Sequence, residues 1–297
     1  MDVLPDFLWL LLGLGLLYLG GEWLVRGARG ISLKMGIAPL AVGLTVVAFG
    51  TSAPELLVSL QANLQSPPKG DLALGNIVGS NICNIALILG IGALIRPIAV
   101  HLQILKREMP FLLVISGIFV WLLLHDDSIS RWEGLALFAG VITYTAISLQ
   151  QSRRKHQSVA LDDSPDDKVE VVQSKRGRSM LYDAGFILLG IVALTYGAER
   201  LVLGGSNIAR FWSVSEATIA LTVVAFGTSL PELATSIVAA VRRQGDILIG
   251  NAVGSCIFNI LCVVGLTATI SPLERTPDPT GLQVADLGVM LALTFLL

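Results

Sequence analysis

Two stretches of this chain, 177 residues apart, are almost the same string. Residues 43–56 read GLTVVAFGTSAPEL and residues 220–233 read ALTVVAFGTSLPEL, identical at twelve of fourteen positions. A second pair follows, GNIVGSNICNI at 75–85 and GNAVGSCIFNI at 250–260, with eight of eleven positions shared. Each copy lies in an apolar run and carries a proline and a glutamate within it. A chain that repeats such a segment must fold as two related halves, and the halves must bring their glutamates to a place that tolerates charge.

The surroundings of the repeats fix the solvent. Of 297 residues, 54% are hydrophobic and 14% charged, against about 25% charge in a typical soluble domain. Apolar windows of roughly 20 residues recur, each long enough to cross a hydrocarbon core of ~30 Å. The expected fold class is therefore an all-α integral membrane protein. A membrane barrel needs short alternating segments, which this sequence lacks. The acidic start, MDVLPD, lacks the basic region of a cleavable signal peptide, so the first helix is expected to be retained. Cys83, Cys256 and Cys262 fall inside expected spans and suggest no disulfide framework.

Helices are expected at 5–25, 37–64, 71–95, 107–125, 132–150, 181–203, 214–241, 246–271 and 282–297. Residues 1–150 form a first five-helix repeat. Residues 151–179, with RRKHQ, DDSPDD and KRGR, form a polar linker poor in apolar residues. Residues 180–297 form the second repeat. Fifteen of the twenty Lys and Arg residues fall in alternate loops, from Arg26 and Lys34 through the linker to Arg242 and Arg243. The positive-inside tendency places that set, and the linker, in the cytoplasm and the N-terminus outside, in a cell membrane.

Five helices separate equivalent points of the two copies. An odd number inverts the second copy, and inverted repeats build midplane binding sites in secondary transporters. The first repeat runs 66 residues past Asn84, to about residue 150, whereas the second runs 38 past Asn259. Symmetry thus anticipates a tenth helix, and truncation is the expected reason that it is missing from this chain.

The motifs themselves offer oxygen. Proline inside a helix cannot donate to the carbonyl four residues earlier, which frees Gly50 and Gly227. In lipid such a carbonyl must line a cavity or bind something. Thr51 and Ser52 lie four and three residues before Glu55, so all three can face one way, as can Thr228, Ser229 and Glu232. Asn76, Ser80 and Asn84 form a stripe on the next helix, matched by Asn251, Ser255 and Asn259; Asn76 and Asn251 fit helix-to-helix bonding as readily as a site. Two bidentate glutamates, two carbonyls and a water suit the six to eight oxygens that calcium takes at about 2.3–2.6 Å. The remaining hydroxyls and amides suit ions of similar radius, such as sodium. Asp71 and Asp246 read as helix N-caps. Glu22 and Glu199 read as interface anchors near Arg26 and Arg200, and Asp286 has no evident task.

At these residues the chain resembles the calcium/cation antiporter superfamily, the sodium/calcium exchangers, in a prokaryotic form. The paired G-T-S-x-P-E and G-S-x-x-x-N motifs carry the resemblance. It implies helices 2, 3, 7 and 8 discontinuous around a central site, with Glu55 and Glu232 binding calcium and, alternately, sodium. It also implies backbone ligation from Thr51, Thr228, Ala48 and Ala225, side-chain ligation from Ser52, Ser229, Ser80 and Ser255, and completion by Asn84 and Asn259. Some relatives carry Asp at one of those Asn positions, and the potassium-dependent branch uses an acid there; both are Asn here, which argues against potassium coupling. The implied activity is sodium/calcium antiport by alternating access, with helices 1 and 6 sliding across the core. The partners are calcium and sodium ions as substrates and the lipid bilayer; no cofactor and no nucleic acid are expected, and a monomer would suffice. Calcium/proton or potassium-linked antiport and a passive channel stand as alternatives. A hydrolase would need a base beside Ser52 or Ser229, and the three histidines, His101, His125 and His156, fall in loops or at span edges.

Overall fold

The computed structural model describes residues 4–98, 100–161, 179–214, 225–276 and 281–297, without the side chains of 154–161 and of Ala225. The linker stretch 162–178 and the opening of the expected seventh helix, 215–224, lie outside the described residues. The chain is a nearly all-helical, multi-pass membrane protein. Its elements are α1 (Leu4–Met35), α2 (Pro39–Thr51), α3 (Ala53–Asn63), α4 (Gly70–Ile95), α5 (Ile104–Asp126), α6 (Arg131–Leu161), α7 (Met180–Phe211), α8 (Ala225–Gly227), α9 (Leu230–Val241), α10 (Gly245–Ile270) and α11 (Val284–Leu296). Among the described residues six helices are long and apolar enough to span, or seven with α2 and α3 counted as one span bent by 42°. Two-residue strands, Ser128–Ile129 and Leu273–Glu274, pair antiparallel and tie the α5–α6 turn to the α10–α11 connection.

α1 and α7 are each 32 residues, ~48 Å at the helical rise. They run well past the ends expected at residues 25 and 203. Arg26 and Arg200, on these helices, lie over aromatic rings, Arg26 on Phe186 and Arg200 on Trp9 and Tyr196. α1 and α7 are repeat equivalents, yet they pack antiparallel: Gly13 meets Gly197, Gly20 meets Gly190 and Leu194, and Gly27 meets Asp183 and Ile187. Small residues at seven-residue spacing let the two backbones touch. A Cβ at Gly13 would lie 2.7 Å from the Gly197 oxygen, and one at Gly190 would lie 2.7 Å from the Leu24 nitrogen. The ends of this seam are pinned by Lys34 with Asp183 and by Asn207 Nδ2 donating to Asp6 at 2.7 Å.

α10 is the axis of the core. Every residue from Ile247 to Gly265 is buried, among α2, α9, α6 and α4. Gly265 takes the backbone of α6 at Gly134, where a Cβ would stand 2.8 Å from the Gly265 oxygen. The interruptions expected in helices 3 and 8 take the form of π turns, Cys83–Ile88 in α4 and Asn259–Val264 in α10, inside otherwise continuous helices. A π turn widens the helix by one residue and is common beside functional positions.

Several acids bind across the fold. The helices begin at Gly70 and Gly245, so Asp71 and Asp246 sit in their first turns and do not cap them. Asp71 accepts from the Thr276 and Leu282 amides at 3.1 Å, and Asp246 pairs with His101 at 3.0 Å. Glu22 is held by Arg242 at 2.8 Å, while Glu199 does pair with Arg200 at 3.2 Å. Asp286 closes a capping box with Gln283 at the start of α11.

Candidate cation-binding site

The two proline motifs stop and restart a helix. Ser52 has φ −84° and ψ 6°, and Ser229 has φ −87° and ψ 4°, so each leaves the helical basin for one residue. The helix resumes with the proline in its first turn, where its missing N–H is no loss. α2 therefore points its terminal carbonyls, and α3 its leading amides, at one break. Glu55 and Glu232 lie in the first turns after the breaks, where the helix dipole favours a negative charge. Both are fully buried.

The halves then grip each other reciprocally. Ser52 Oγ donates to Glu232 Oε1 at 3.1 Å, and Ser229 Oγ to Glu55 Oε1 at 3.5 Å. Thr51 Oγ1 donates to Asn251 Oδ1 at 3.0 Å, and Thr228 Oγ1 to Asn76 Oδ1 at 3.2 Å. Asn76 Nδ2 donates to the Glu55 carbonyl at 3.2 Å and to Ser59 Oγ at 3.0 Å; Asn251 Nδ2 donates to the Glu232 carbonyl at 3.4 Å and to Ser236 Oγ at 3.1 Å. Asn76 and Asn251 are thus scaffolding that joins the halves. Ser59 and Ser236, which sequence reasoning missed, support them; the repeat offset of 177 relates these two as well.

Ser80 Oγ donates to Glu55 Oε1 at 3.2 Å, and three donors surround it: Asn259 Nδ2 at 3.1 Å, Ser229 Oγ at 3.3 Å and Asn84 Nδ2 at 3.4 Å. Ser255 Oγ lies 3.5 Å from Thr51 Oγ1. Ala48 is buried on α2, its carbonyl taking the Ser52 N–H at 3.0 Å, with the Thr51 hydroxyl oxygen 3.3 Å away. Ala225 opens α8, where the Ser229 N–H turns to Phe226 O at 3.2 Å.

Among the described residues, four buried oxygens of this cluster have no hydrogen-bond partner: Glu55 Oε2, Glu232 Oε2, Asn84 Oδ1 and Asn259 Oδ1. They form two equivalent pairs, one carboxylate and one amide oxygen from each half. With both glutamates ionised, all four are acceptors only. Orphaned buried acceptors call for an explanation, and a hard cation is one that would satisfy all four together. No group of three or more His, Cys, Asp and Glu side chains that could hold a metal ion occurs among the described residues, so a cation held here would meet two carboxylates among neutral oxygens. His101 sits with Asp246 and His125 stacks on Trp121, away from Ser52 and Ser229; the His156 side chain lies outside the described residues.

An antiparallel pair of long helices, two helices broken at proline motifs and an acceptor-lined centre fit a membrane transporter for cations. Comparison with known proteins narrows that class. The model of the "Sodium/calcium exchanger protein" family matches residues 6–150 and 182–297, and this chain belongs to that family. The Escherichia coli (strain K12) inner membrane protein YrbG is 37% identical over 90% of this chain and 81% of its own length. The Methanosarcina acetivorans sodium/calcium exchanger MaX1 is 33% identical over 91% of this chain and 84% of its own. A solved structure of the sodium-calcium exchanger NCX_Mj superposes with a TM-score of 0.82 at 29% identity, covering 99% of this chain and 90% of that one.

Proposed function

We propose that this protein exchanges sodium for calcium across a cell membrane by alternating access. The observation that carries the reading is the quartet of buried, unpartnered oxygens from Glu55, Glu232, Asn84 and Asn259. Two carboxylates balance one divalent charge. The amide oxygens, the Ser52, Ser229, Ser80 and Ser255 hydroxyls, and the backbone oxygens of Ala48, Thr51, Ala225 and Thr228 replace its water. Calcium accepts such a mixed, flexible oxygen shell, whereas magnesium sheds its water reluctantly. Sodium, as a hard ion of similar size, suits the same neutral oxygens with one carboxylate apiece. The ions are cargo, and the site needs no resident cofactor.

Competition gives the coupling. Calcium and sodium draw on the same two glutamates, so loading one ion set expels the other. Ser52 and Ser229 mark where each broken helix can flex. The basic residues at Arg26, Arg107 and Arg242 lie on the cytoplasmic side, with the N-terminus and the paired strands Ser128–Ile129 and Leu273–Glu274 outside. The family membership, and the name of the MaX1 relative, support calcium and sodium as the ions.

Isotopic calcium uptake into proteoliposomes, with sodium, potassium and proton gradients imposed one at a time, tests this. Uptake driven by outward sodium alone is expected. Uptake that follows the proton or the potassium gradient instead would reassign the counter-ion, and downhill flux with no gradient coupling would make the protein a channel.

A further inference from the structure

The repeat is broken at one buried position beside the site. Asn81, on α4 next to Ser80, falls where the second copy has Cys256, 175 residues on. Both are buried. Asn81 Oδ1 accepts from Asn259 Nδ2 at 3.0 Å. Asn81 Nδ2 reaches Met290 Sδ at 3.8 Å, and its carbonyl oxygen lies 3.8 Å from the Cys256 thiol.

A primary amide can present either its oxygen or its nitrogen to an ion, and only the oxygen binds a cation. What decides is the company its nitrogen keeps. The Ser80 hydroxyl has one proton, and Glu55 takes it at 3.2 Å. Towards Asn259, Ser80 is therefore an acceptor, at 3.1 Å. Asn81 Oδ1 is a second. The two N–H groups of Asn259 meet two acceptors, which leaves Oδ1 unpartnered and buried. Turning the amide over would set Oδ1 against both acceptors and aim N–H at the cation. Asn84 is held less firmly, its Nδ2 donating to Ser80 alone among the described contacts, at 3.4 Å. A cysteine at the mirror position cannot supply an amide acceptor.

We infer that Asn81 is a positioning residue, which fixes Asn259 with its oxygen towards the transported ion and so makes the two asparagines of the site unequal. This rests on the reading of the centre as a cation site. The family's paired motif does not predict it, because it follows from the one place in GNIVGSNICNI where the second copy loses the polar side chain.

A double-mutant cycle on calcium binding by the purified protein, measured by equilibrium dialysis with calcium as the sole probe ion, tests the inference. Asn81→Leu, close in size but without the acceptor, is expected to weaken binding roughly tenfold, the scale of a lost hydrogen bond in a buried network. Asn81→Asp keeps an acceptor for Asn259 and is expected to retain binding. In an Asn259→Asp background both carboxylate oxygens accept whichever way the group turns, so Asn81→Leu should then have little effect. If Asn81→Leu does not fold, Asn81→Ala replaces it in the same cycle. Equal losses from Asn81→Leu in both backgrounds, or equal losses from Asn81→Leu and Asn81→Asp, overturn the inference, because a purely structural role predicts them. Wild-type protein that binds calcium but does not couple its flux to sodium fails the exchange reading and leaves this cycle valid. Wild-type protein that binds no calcium overturns both.

Discussion

Ser52 of the first repeat donates its hydroxyl to Glu232 of the second, at 3.1 Å. Ser229 of the second reaches back to Glu55, at 3.5 Å. Each carboxylate is thus supported from the opposite half. A charge at the centre of a bilayer costs from about 3 to more than 10 kcal/mol when unsupported. Ser80 adds support to Glu55 from its own half, and the cross-repeat bonds complete the shell when the two repeats close on each other.

Glu55→Gln and Glu232→Gln should each abolish calcium transport while leaving expression and membrane insertion intact. A neutral amide keeps the size but removes half the charge that balances the ion. A fall of at least about a hundredfold in calcium uptake, some 2.7 kcal/mol, is expected in proteoliposomes. Near-normal uptake by either variant removes the site assignment.

Ser52→Ala withdraws a hydrogen bond from a buried carboxylate, an interaction of about 1.5–3 kcal/mol. The calcium KM should rise by roughly ten- to a hundredfold. Ser229→Ala should cost less, since its bond is the longer of the two. A larger effect at Ser229 would contradict this ordering, and a kinetic comparison of the two variants decides it.

Gly197→Leu should prevent α1 and α7 from meeting. A Cβ there would stand 2.9 Å from Leu16 Cβ and 3.0 Å from the Gly13 oxygen. Overpacking of this kind costs about 1–3 kcal/mol or more, and a lower melting temperature in detergent is expected. Gly15→Leu is the control, because nothing lies within 4 Å of its Cβ position. Equal destabilisation by both would show that the seam is not the cause.

The topology is tested by cysteine labelling in intact cells. Asp126→Cys, at the exposed end of α5, should react with an impermeant maleimide from outside, in a background with the three native cysteines replaced. Ser174→Cys in the linker should react only after permeabilisation. The opposite pattern would invert the assignment.

Much of the centre was legible because it is written twice. Glu55, Thr51 and Ser52 gained meaning from Glu232, Thr228 and Ser229, and the bends at Ser52 and Ser229 follow from proline chemistry. What stayed hidden depends on partners distant in sequence. Asp71 looks like a cap until Leu282 arrives 211 residues later to take its oxygen. Glu22 has Arg26 one turn away, yet Arg242 is the residue that reaches it. The π turns in α4 and α10 leave no mark in residue type, since an extra residue per turn changes spacing without changing composition. Asn81 escaped for the opposite reason: a comparison of repeats rewards what matches, and this position differs.

The glycine-spaced contact between α1 and α7 has a mechanical consequence. Two rods whose backbones touch at intervals of seven residues have no free play along their length; a shift by one helical turn would drive a leucine Cβ into a peptide bond. Lys34 with Asp183 and Asp6 with Asn207 bolt the far ends. The pair is therefore a single beam, fixed in register from one face of the bilayer to the other.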